Sequence, residues 1–244
     1  MSQDTHKAFE IVGRLKQAAR IPDILREMRS AGAYFGYDAF IITNLPAEHA
    51  ISTQGCALVP AWPEGWRKRY FDRDYLRIDP VANHVRRTTE PFLWREAPYR
   101  SDEAGAVRVM GEATEFGLSQ GFCVPIHHLS GPGGGVSFGA DRLDLSDDAK
   151  AALHLVSIYA YQRAETLIRE GGRSSPARKA PRLTAREVEC LRWTAAGKTS
   201  WEASEILSTS QRTVEFHLRN AARKLDAVNR VQCVAAAMRQ GIIA

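Results

Sequence analysis

Two closely spaced helix-start signals near the C-terminus constrain the fold more than any other feature of the chain. Thr184 precedes Glu187 by three positions, and Thr199 precedes Glu202 by the same interval. Each pair forms a capping box, in which a hydroxyl and a carboxylate satisfy backbone N–H groups at the start of a helix. Gly197 stands between the two signals, where the first helix can end in left-handed backbone. The spacing therefore predicts two short helices joined by a tight turn.

A third helix follows, and its two faces differ in chemistry. Ser210 opens it, and its apolar residues recur at i, i+4, i+7 and i+11 as Val214, Leu218, Ala221 and Leu225. This stripe predicts packing against the first two helices. The opposite face carries Arg212, Glu215, Phe216, Arg219, Asn220 and Arg223. A short helix with a basic, amide-bearing outer face is typical of a helix that enters the major groove of DNA.

Several short motifs occur in this region in a fixed order. They are the Leu183–Trp193 stretch, the Ala196–Thr199 turn, Ser210-x-x-Thr213-Val214, His217-Leu218 and Lys224-Leu225. The region resembles the helix-turn-helix of the LuxR family over about a quarter of the chain. The resemblance implies a DNA-binding domain that dimerises through its last helix, from the Asn229 cap to Gly241. A dimer on a two-fold site buries more surface than a single helix-turn-helix unit.

The side chains of the third helix suggest roles at an operator. Glu215 is placed to accept from cytosine and Arg219 to reach guanine. Thr213, His217 and Lys224 are expected to contact phosphates, although His217 beside Leu218 is also compatible with a half-buried packing role. The remaining candidates for DNA contact are Thr199, Arg212, Phe216, Asn220 and Arg223.

Charge is distributed unevenly along the 244 residues. From residue 171 onward there are thirteen Lys and Arg against six Asp and Glu, whereas residues 1–170 hold twenty and twenty-two. This imbalance indicates a polyanionic partner for the C-terminal part only. Two Gly, two Ser and two Pro within residues 171–181 predict a flexible linker that cannot hold a helix. We therefore expect a first domain at 1–170, a linker at 171–181 and a DNA-binding domain at 182–244.

Composition disfavours several classes of protein. Apolar residues make up 44% and charged residues 25%, as in soluble globular proteins. No apolar run approaches the roughly eighteen residues that span a bilayer, and the N-terminus lacks the apolar core of a signal peptide. We expect a cytoplasmic protein without a membrane partner. Cys56, Cys123, Cys190 and Cys233 show no paired spacing for a metal, which predicts reduced thiols and no metal site.

The N-terminal part alternates between helical and strand-like segments. Helical periodicity covers residues 7–34, 62–76 and 102–117, and Ser146 caps a final helix. Strand-like segments cover 39–45, 56–59, 121–129 and 134–141, with residues 130–134 predicted as a hairpin turn. Helices before, between and after an antiparallel sheet predict an α/β/α sandwich. The fold class is therefore α+β, with this sandwich followed by an all-α helix-turn-helix bundle.

A second set of motifs lies in this N-terminal domain, namely Trp66-x-x-x-Tyr70, Asp79-Pro80, Trp94, Gly121 and Pro125. In order and spacing they resemble the autoinducer-binding domain of LuxR-type quorum sensors. Together the two resemblances imply a transcription factor gated by an N-acyl-homoserine lactone. They imply operator DNA, a second copy of the chain and RNA polymerase as partners. They imply neither a cofactor nor an enzymatic activity.

An acyl-homoserine lactone carries two carbonyls and one amide N–H on an apolar tail, and each polar group left unpaired on burial costs a few kcal/mol. The Trp66 indole N–H suits the lactone carbonyl, and Asp79 can accept from the amide N–H. Tyr70 can donate to the amide carbonyl, and Ser137 aligns with a family position that reaches the same atom. The walls are expected from Trp62, from Trp94 over the lactone ring, and from Ile42, Phe71, Tyr75, Phe92 and Phe116 along the acyl chain.

Other interpretations remain open at this stage. A regulator of the same family that answers a different small molecule, or one that binds DNA without a ligand, would share these motifs. A phosphorylated response regulator is disfavoured, because the only Asp-Asp pair, Asp147-Asp148, opens a late helix. An enzyme is disfavoured because no nucleophile and base are paired. The Gly131–Gly135 stretch lacks the Lys-Ser/Thr of a phosphate loop, and we interpret it as a turn.

Overall fold

The computed structural model describes residues 2–45, 56–128, 131–172 and 183–243, which divide into two compact units. The helices of the first unit are α1 (Gln3–Gln17), α2 (Ile21–Phe35), α3 (Glu64–Asp72), α4 (Pro80–Val85), α5 (Ala104–Thr114) and α6 (Asp147–Gly172). Its strands are β1 (Ala39–Asn44), β2 (Ala57–Ala61), β3 (Phe92–Leu93), β4 (Gln120–His128) and β5 (Gly131–Ala140). The second unit contains α7 (Ala185–Ala195), α8 (Ser200–Ile206), α9 (Gln211–Lys224) and α10 (Arg230–Arg239).

The strands of the first unit form one antiparallel sheet in the order β2-β1-β5-β4-β3. Residues opposite each other in such a sheet share a face. Ile41 lies opposite Ser137, and Ile42 lies opposite Val136. Because side chains alternate along a strand, these two pairs point to opposite sides of the sheet. This register decides which residues of the strands can reach the functional site.

One face of the sheet packs against α1, α2 and α6. Its core includes Ile42 and Val136 from the strands, and Leu15, Met28 and Leu153 from the helices, all of them fully buried. The other face carries α3, α4 and α5 and a core rich in aromatic side chains. The α/β/α sandwich predicted from the sequence is therefore confirmed. No helix within the described ranges is both long enough and apolar enough to cross a membrane.

Two sequence-based predictions about glycine-rich segments are wrong. Helix α6 continues through Gly172, so the first two residues of the expected linker are helical. Strand β5 begins at Gly131, inside the segment predicted as a turn. The reason at β5 is a close approach of the backbones, because a Cβ on Gly134 would lie 2.1 Å from the carbonyl oxygen of Thr43. Glycine is the residue that permits such a distance in a strand interior.

The second unit forms from the helix signals that the sequence contains. Thr184 accepts a hydrogen bond from the backbone N–H of Glu187, and the Glu187 carboxylate accepts one from the backbone N–H of Thr184, at 3.3 and 2.7 Å. The Thr199 and Glu202 pair repeats the arrangement at α8. Gly197 has a φ of 80°, as expected for a residue just beyond a helix end. The predicted apolar stripe of α9 packs into this unit's core.

One buried ion pair joins the start of α7 to the end of α9. The Lys224 Nζ lies 2.9 and 2.8 Å from the two carboxylate oxygens of Glu187, whose side chain is only 4% exposed. Burial acts to raise the pKa of Glu187, but the hydrogen bonds from Lys224 and Thr184 outweigh it and lower the pKa below the ordinary 4.5. The pair therefore stabilises the unit when the carboxylate is charged.

We expect Glu187→Gln to lower the free energy of unfolding of the second unit by about 1–3 kcal/mol at neutral pH, because a neutral amide replaces one charge of a buried pair. A lowered pKa in the folded state gives stability that is present above pH 4.5 and lost as the pH falls through the lowered value. Hydrogen-exchange mass spectrometry of the full chain, following amides of α7 and α9, measures the effect.

Glu189→Gln is the matched control, because Glu189 pairs with Arg186 at an exposed position. Exposed pairs contribute about 0–1 kcal/mol. Equal loss of protection in the two variants would contradict the role given to Glu187. A loss of protection in Glu187→Gln that stays the same in the most acidic buffers would also contradict it.

Candidate functional site

A hollow lies between the second face of the sheet and helices α3, α4 and α5. Its two adjoining lobes contain about 460 and 320 Å³ of space not occupied by atoms, part of which is open to solvent. Both lobes are lined by Trp62, Tyr70, Asp79, Val81 and Ser137. The first lobe adds Ile41, Thr43, Leu45, Phe71, Leu76, Ala82, Val85, Cys123 and Gly135. The second adds Trp66, Trp94, Val109, Met110 and Ala113. Apolar walls with a few convergent polar groups are typical of a small-molecule site.

Asp79 is the charged group at the junction of the lobes. Its carboxylate accepts from the backbone N–H of Val81 at 2.8 Å, which caps α4, and from the hydroxyl of Tyr70 at 2.6 Å. Burial raises the pKa of Asp79 above its ordinary 3.8, while these hydrogen bonds act in the opposite direction. A carboxylate has about four acceptor positions, so Asp79 keeps capacity for a further donor.

The contact with Asp79 changes the expected role of Tyr70. A phenol has one proton, and the Tyr70 hydroxyl directs it to Asp79. Burial, together with the neighbouring carboxylate, raises the pKa of Tyr70 well above 10.0, so the phenol stays protonated. In this structure Tyr70 orients the carboxylate, whereas the sequence analysis assigned its proton to a ligand carbonyl.

Trp94 and Ser137 are joined across the hollow. The Trp94 indole N–H donates to the Ser137 hydroxyl oxygen at 2.9 Å, and both residues are buried. Two glycines make room for the indole, since a Cβ on Gly121 would lie 2.1 Å from Trp94 Cε2 and a Cβ on Gly139 would lie 2.8 Å from Cη2. The predicted motif residue Gly121 therefore has a steric reason, and Gly139 shares it.

Trp62 and Trp66 also line the hollow. Their ring centroids are 6.3 Å apart, and the Trp62 ring lies 5.1 Å from that of Tyr70. The indole Nε1 of Trp62 is buried and has no hydrogen-bond partner among the described residues. A buried donor without an acceptor costs about 1–3 kcal/mol. The hollow is therefore better matched to a molecule that brings an acceptor than to one that is purely apolar.

Ile42 does not line the hollow, contrary to the sequence-based prediction. It is fully buried on the opposite face of the sheet, with Val136, in the core under α1, α2 and α6. Its neighbour Ile41 lines the first lobe instead. Strand alternation produces this exchange, because consecutive side chains point to opposite faces.

Three predicted aromatic wall residues lie in a second layer rather than on the surface of either lobe. Tyr75 packs 6.0 Å from the rings of both Trp66 and Tyr70, and Phe116 packs 5.8 Å from Trp66. Phe92 packs edge-on against the ring of His84 at 4.5 Å. Tyr75 and Phe116 therefore support rings that face the hollow, whereas Phe92, among the described residues, has no ring contact with one of them. Only Phe71 of the predicted acyl-chain wall lines it directly.

The sequence analysis missed the apolar contributions of α4 and α5. Val81, Ala82 and Val85 follow the Asp79-Pro80 motif on a short helix, and Val109, Met110 and Ala113 lie on α5. Their i, i+1 and i+4 spacing marks an inward helix face, but such spacing does not distinguish a pocket wall from a filled core. Ion pairs to Glu112 from Arg69 on α3 and from Arg73 at its C-terminal end, at 3.2 and 2.9 Å, join α5 to α3.

In the second unit, α9 presents a polar face to solvent. Val214, Leu218 and Ala221 are buried, while the predicted DNA contacts Arg212, Glu215, Phe216, Arg219 and Arg223 are exposed. Thr213, His217, Asn220 and Lys224 are partly buried, and Thr199 caps α8 rather than lying on α9. The ring of His217 lies 5.8 Å from that of Phe216. Lys224 differs from the other predicted phosphate contacts, because it is held by Glu187.

Comparison with known proteins places both units in one family. Residues 21–164 match the family described as "Autoinducer binding domain", and residues 181–237 match "Bacterial regulatory proteins, luxR family". The chain belongs to the LuxR family of quorum-sensing transcriptional regulators. The resemblance inferred from its motifs is thereby confirmed for both domains.

Relatives of this LuxR-family chain are similar over nearly their whole length. It is 40% identical to the transcriptional activator protein BjaR1 of Bradyrhizobium diazoefficiens, over 97% of this chain and 96% of that protein. It is 41% identical to the HTH-type quorum sensing-dependent transcriptional regulator RpaR of Rhodopseudomonas palustris, over 97% and 95%. Among solved structures, Escherichia coli SdiA has the same fold, with a TM-score of 0.71 at 24% identity over 97% of this chain and 98% of SdiA.

The glycines beneath Trp94 allow a test of the pocket geometry of this LuxR-family protein. We expect Gly121→Ala to lower the melting temperature and weaken ligand binding, because the new methyl group would overlap Trp94 and overpacking costs about 1–3 kcal/mol. Gly111→Ala on α5 is the control, since nothing lies within 4 Å of its added Cβ and alanine favours a helix. A Gly121→Ala protein as stable as Gly111→Ala would contradict the close packing.

Proposed function

We propose that the first unit binds an N-acyl-homoserine lactone and that the ligand-bound chain, as a homodimer, binds operator DNA to regulate transcription. The observation that carries the proposal is the convergence of Trp66, Asp79 and Ser137 on one mostly apolar hollow. These side chains offer an indole donor, a carboxylate acceptor and a hydroxyl. We assign ligand binding to residues 1–170 and DNA binding to 182–244, with 171–181 between them.

Two polar groups of the ligand are given partners in the hollow. The lactone ring occupies the second lobe under Trp94, and its carbonyl accepts from the Trp66 indole. The amide N–H donates to Asp79, and the acyl chain extends into the first lobe. This placement is supported by the position of Asp79 at the junction of the lobes, since the amide lies between ring and chain in the ligand.

Ligand binding would act on the regulator through stability. A carboxyl with a raised pKa, such as Asp79, makes the empty fold less stable as the pH rises through that pKa. A ligand N–H that donates to the carboxylate offsets part of this cost. At a hundred times the dissociation constant, a ligand adds about 2.7 kcal/mol of stability to the folded state. Such a gain raises the population that can dimerise and bind DNA.

The second unit supplies the contacts to DNA and to a second copy. The exposed face of α9 carries arginines for phosphates and bases, with Glu215 and Arg219 as base readers. On α10, Val231 is 79% and Met238 is 41% exposed, which supports a self-association surface there. We place this activity in the cytoplasm, with RNA polymerase as a further partner, and we expect no enzymatic activity and no cofactor.

A second candidate is a different small molecule in the same hollow. SdiA, which has the same fold with a TM-score of 0.72 at 23% identity, is known in complex with octanoyl-rac-glycerol. That ligand also combines an acyl tail with a polar head. Mass spectrometry of small molecules released from the purified protein separates the two candidates, because a homoserine lactone and a glycerol ester differ in mass and fragmentation.

Asp79→Asn tests the pocket. We expect it to weaken binding of the lactone about 10- to 100-fold, because a hydrogen bond to a charged acceptor contributes about 1.5–3 kcal/mol. Asparagine also caps helices, so the contact to Val81 and the start of α4 are preserved. Asp72→Asn, an exposed change on α3, is the control. Isothermal titration gives the affinities, and equal affinity in the two variants would refute the assignment of Asp79.

Arg219→Ala tests the DNA contact. An operator is first selected from random duplexes with the ligand-bound full chain. We expect the variant to lose about tenfold or more in affinity for that site, because one good base contact contributes about 1–3 kcal/mol. Arg192→Ala removes the same charge from an exposed position on α7 and should retain affinity. If Arg219→Ala binds the selected site as tightly as Arg192→Ala does, Arg219 is not a base reader.

A further inference from the structure

The hydroxyl of Ser137 occupies an unusual position in the hollow, because both lobes share it and a buried indole already donates to it. A serine hydroxyl has one proton and two acceptor positions. Indole nitrogen donates only. The direction of the 2.9 Å contact is therefore fixed, and the Ser137 proton has to point to some other atom.

The neighbours of Ser137 leave a ligand oxygen as the best acceptor for that proton. The thiol of Cys123 lies beside it, and burial raises the pKa of Cys123 to about 12, although a hydrogen bond with Ser137 acts in the opposite direction. Cys123 therefore remains a neutral thiol, which is a weak acceptor. Of the other polar groups shared by the two lobes, Tyr70 directs its own proton to Asp79, and the remaining acceptor capacity of Asp79 is assigned above to the ligand amide N–H. A carbonyl placed at the junction would be a stronger acceptor than the thiol.

The indole itself is held rigidly. Gly121 and Gly139 lie against its ring on neighbouring strands, and neither position has room for a Cβ. Trp94 begins a 3₁₀ turn directly after β3, where the Glu96 carboxylate accepts from the backbone N–H of Leu93 at 2.7 Å. A ring fixed on these sides can hold a hydroxyl rotor in one orientation without moving when ligand enters.

We infer that Trp94 is a positioning residue: its indole N–H orients the Ser137 hydroxyl so that Ser137 donates to the acyl carbonyl of the ligand. This inference rests on the proposed binding of an acyl-homoserine lactone and assigns Trp94 a task beyond covering the lactone ring. It also gives the carbonyl a donor in place of Tyr70. The effect of Trp94 on affinity should then depend on the presence of the Ser137 hydroxyl.

A double-mutant cycle on the full-length chain tests this dependence. The probes are N-hexanoyl-, N-(3-methylbutanoyl)- and N-cinnamoyl-homoserine lactone, and the one that binds wild type most tightly is used throughout. We expect Trp94→Phe and Ser137→Ala each to weaken binding about tenfold, as for one lost hydrogen bond. The double variant should bind as weakly as Ser137→Ala alone, because Trp94 acts through the hydroxyl.

Trp62→Phe provides the matched control, because it also removes an indole N–H from the hollow but has no hydrogen bond to Ser137. Its effect should add to that of Ser137→Ala. Replacing Trp94 by benzothienylalanine, which keeps the bicyclic shape and lacks the N–H, gives the same test if Trp94→Phe fails to fold.

The outcomes separate the two proposals. If wild type binds none of the three lactones, the proposed ligand class is wrong and the inference falls with it. If wild type binds a lactone and the Trp94→Phe/Ser137→Ala double variant loses about a hundredfold in affinity, Trp94 acts independently of Ser137 and the positioning role is wrong. Unchanged affinity in the benzothienylalanine protein would also overturn it. The positioning role is supported if the losses from Trp94→Phe and Ser137→Ala are non-additive while those from Trp62→Phe and Ser137→Ala are additive.

Discussion

The hydrogen bonds that hold the buried carboxylate of Asp79 are the interactions around which the rest of the pocket is arranged. A charge in an apolar interior is unfavourable unless donors surround it. The fold supplies the hydroxyl of Tyr70 and the backbone N–H groups of Val81 and Ala82, and Asp79 lies where the two lobes meet. Because Tyr70 serves the carboxylate, a ligand carbonyl needs a different donor. Trp94, directly after β3, donates to Ser137 on β5, and we propose that this pair provides one.

The two faces of the sheet show why one domain can be both stable and receptive. Under α1, α2 and α6 the side chains fill the space, and residues such as Leu15 and Ile42 are fully buried. On the other face, two glycines make room for the Trp94 indole, and aromatic rings line a hollow. Large rings cannot interlock as closely as branched aliphatic chains when their indole and phenol groups also have to reach partners. The first face is therefore a filled core, and the second face holds the hollow to which we assign ligand binding.

The sequence predicted most elements of the chain, although not α4 or β3, and it predicted the polar residues that line the pocket better than its apolar walls. Trp62, Trp66, Tyr70, Asp79, Trp94 and Ser137 all line the hollow. Ile42 points to the other face of the sheet. The sequence could not show this, because a strand of consecutive apolar residues does not reveal which side chains face the pocket. Phe116 and Tyr75 lie one layer behind Trp66, because their rings pack at tilted angles against its outer side. The first glycines of β5 were predicted as a turn, and the last two residues of α6 were predicted as linker. Both predictions relied on the local propensity of glycine, which strand pairing and the preceding helix override.

The sequence by itself determined where the helices of the second unit begin, because capping boxes are local and their donors and acceptors lie within one turn. It also determined the family, because the spacing of its polar and aromatic motifs is specific. Only the tertiary structure decided which donor serves which acceptor. The Tyr70 proton goes to Asp79 and the Trp94 proton to Ser137, 43 positions away. Such pairings depend on strand register and on space left by distant glycines, and neither is encoded in a local pattern.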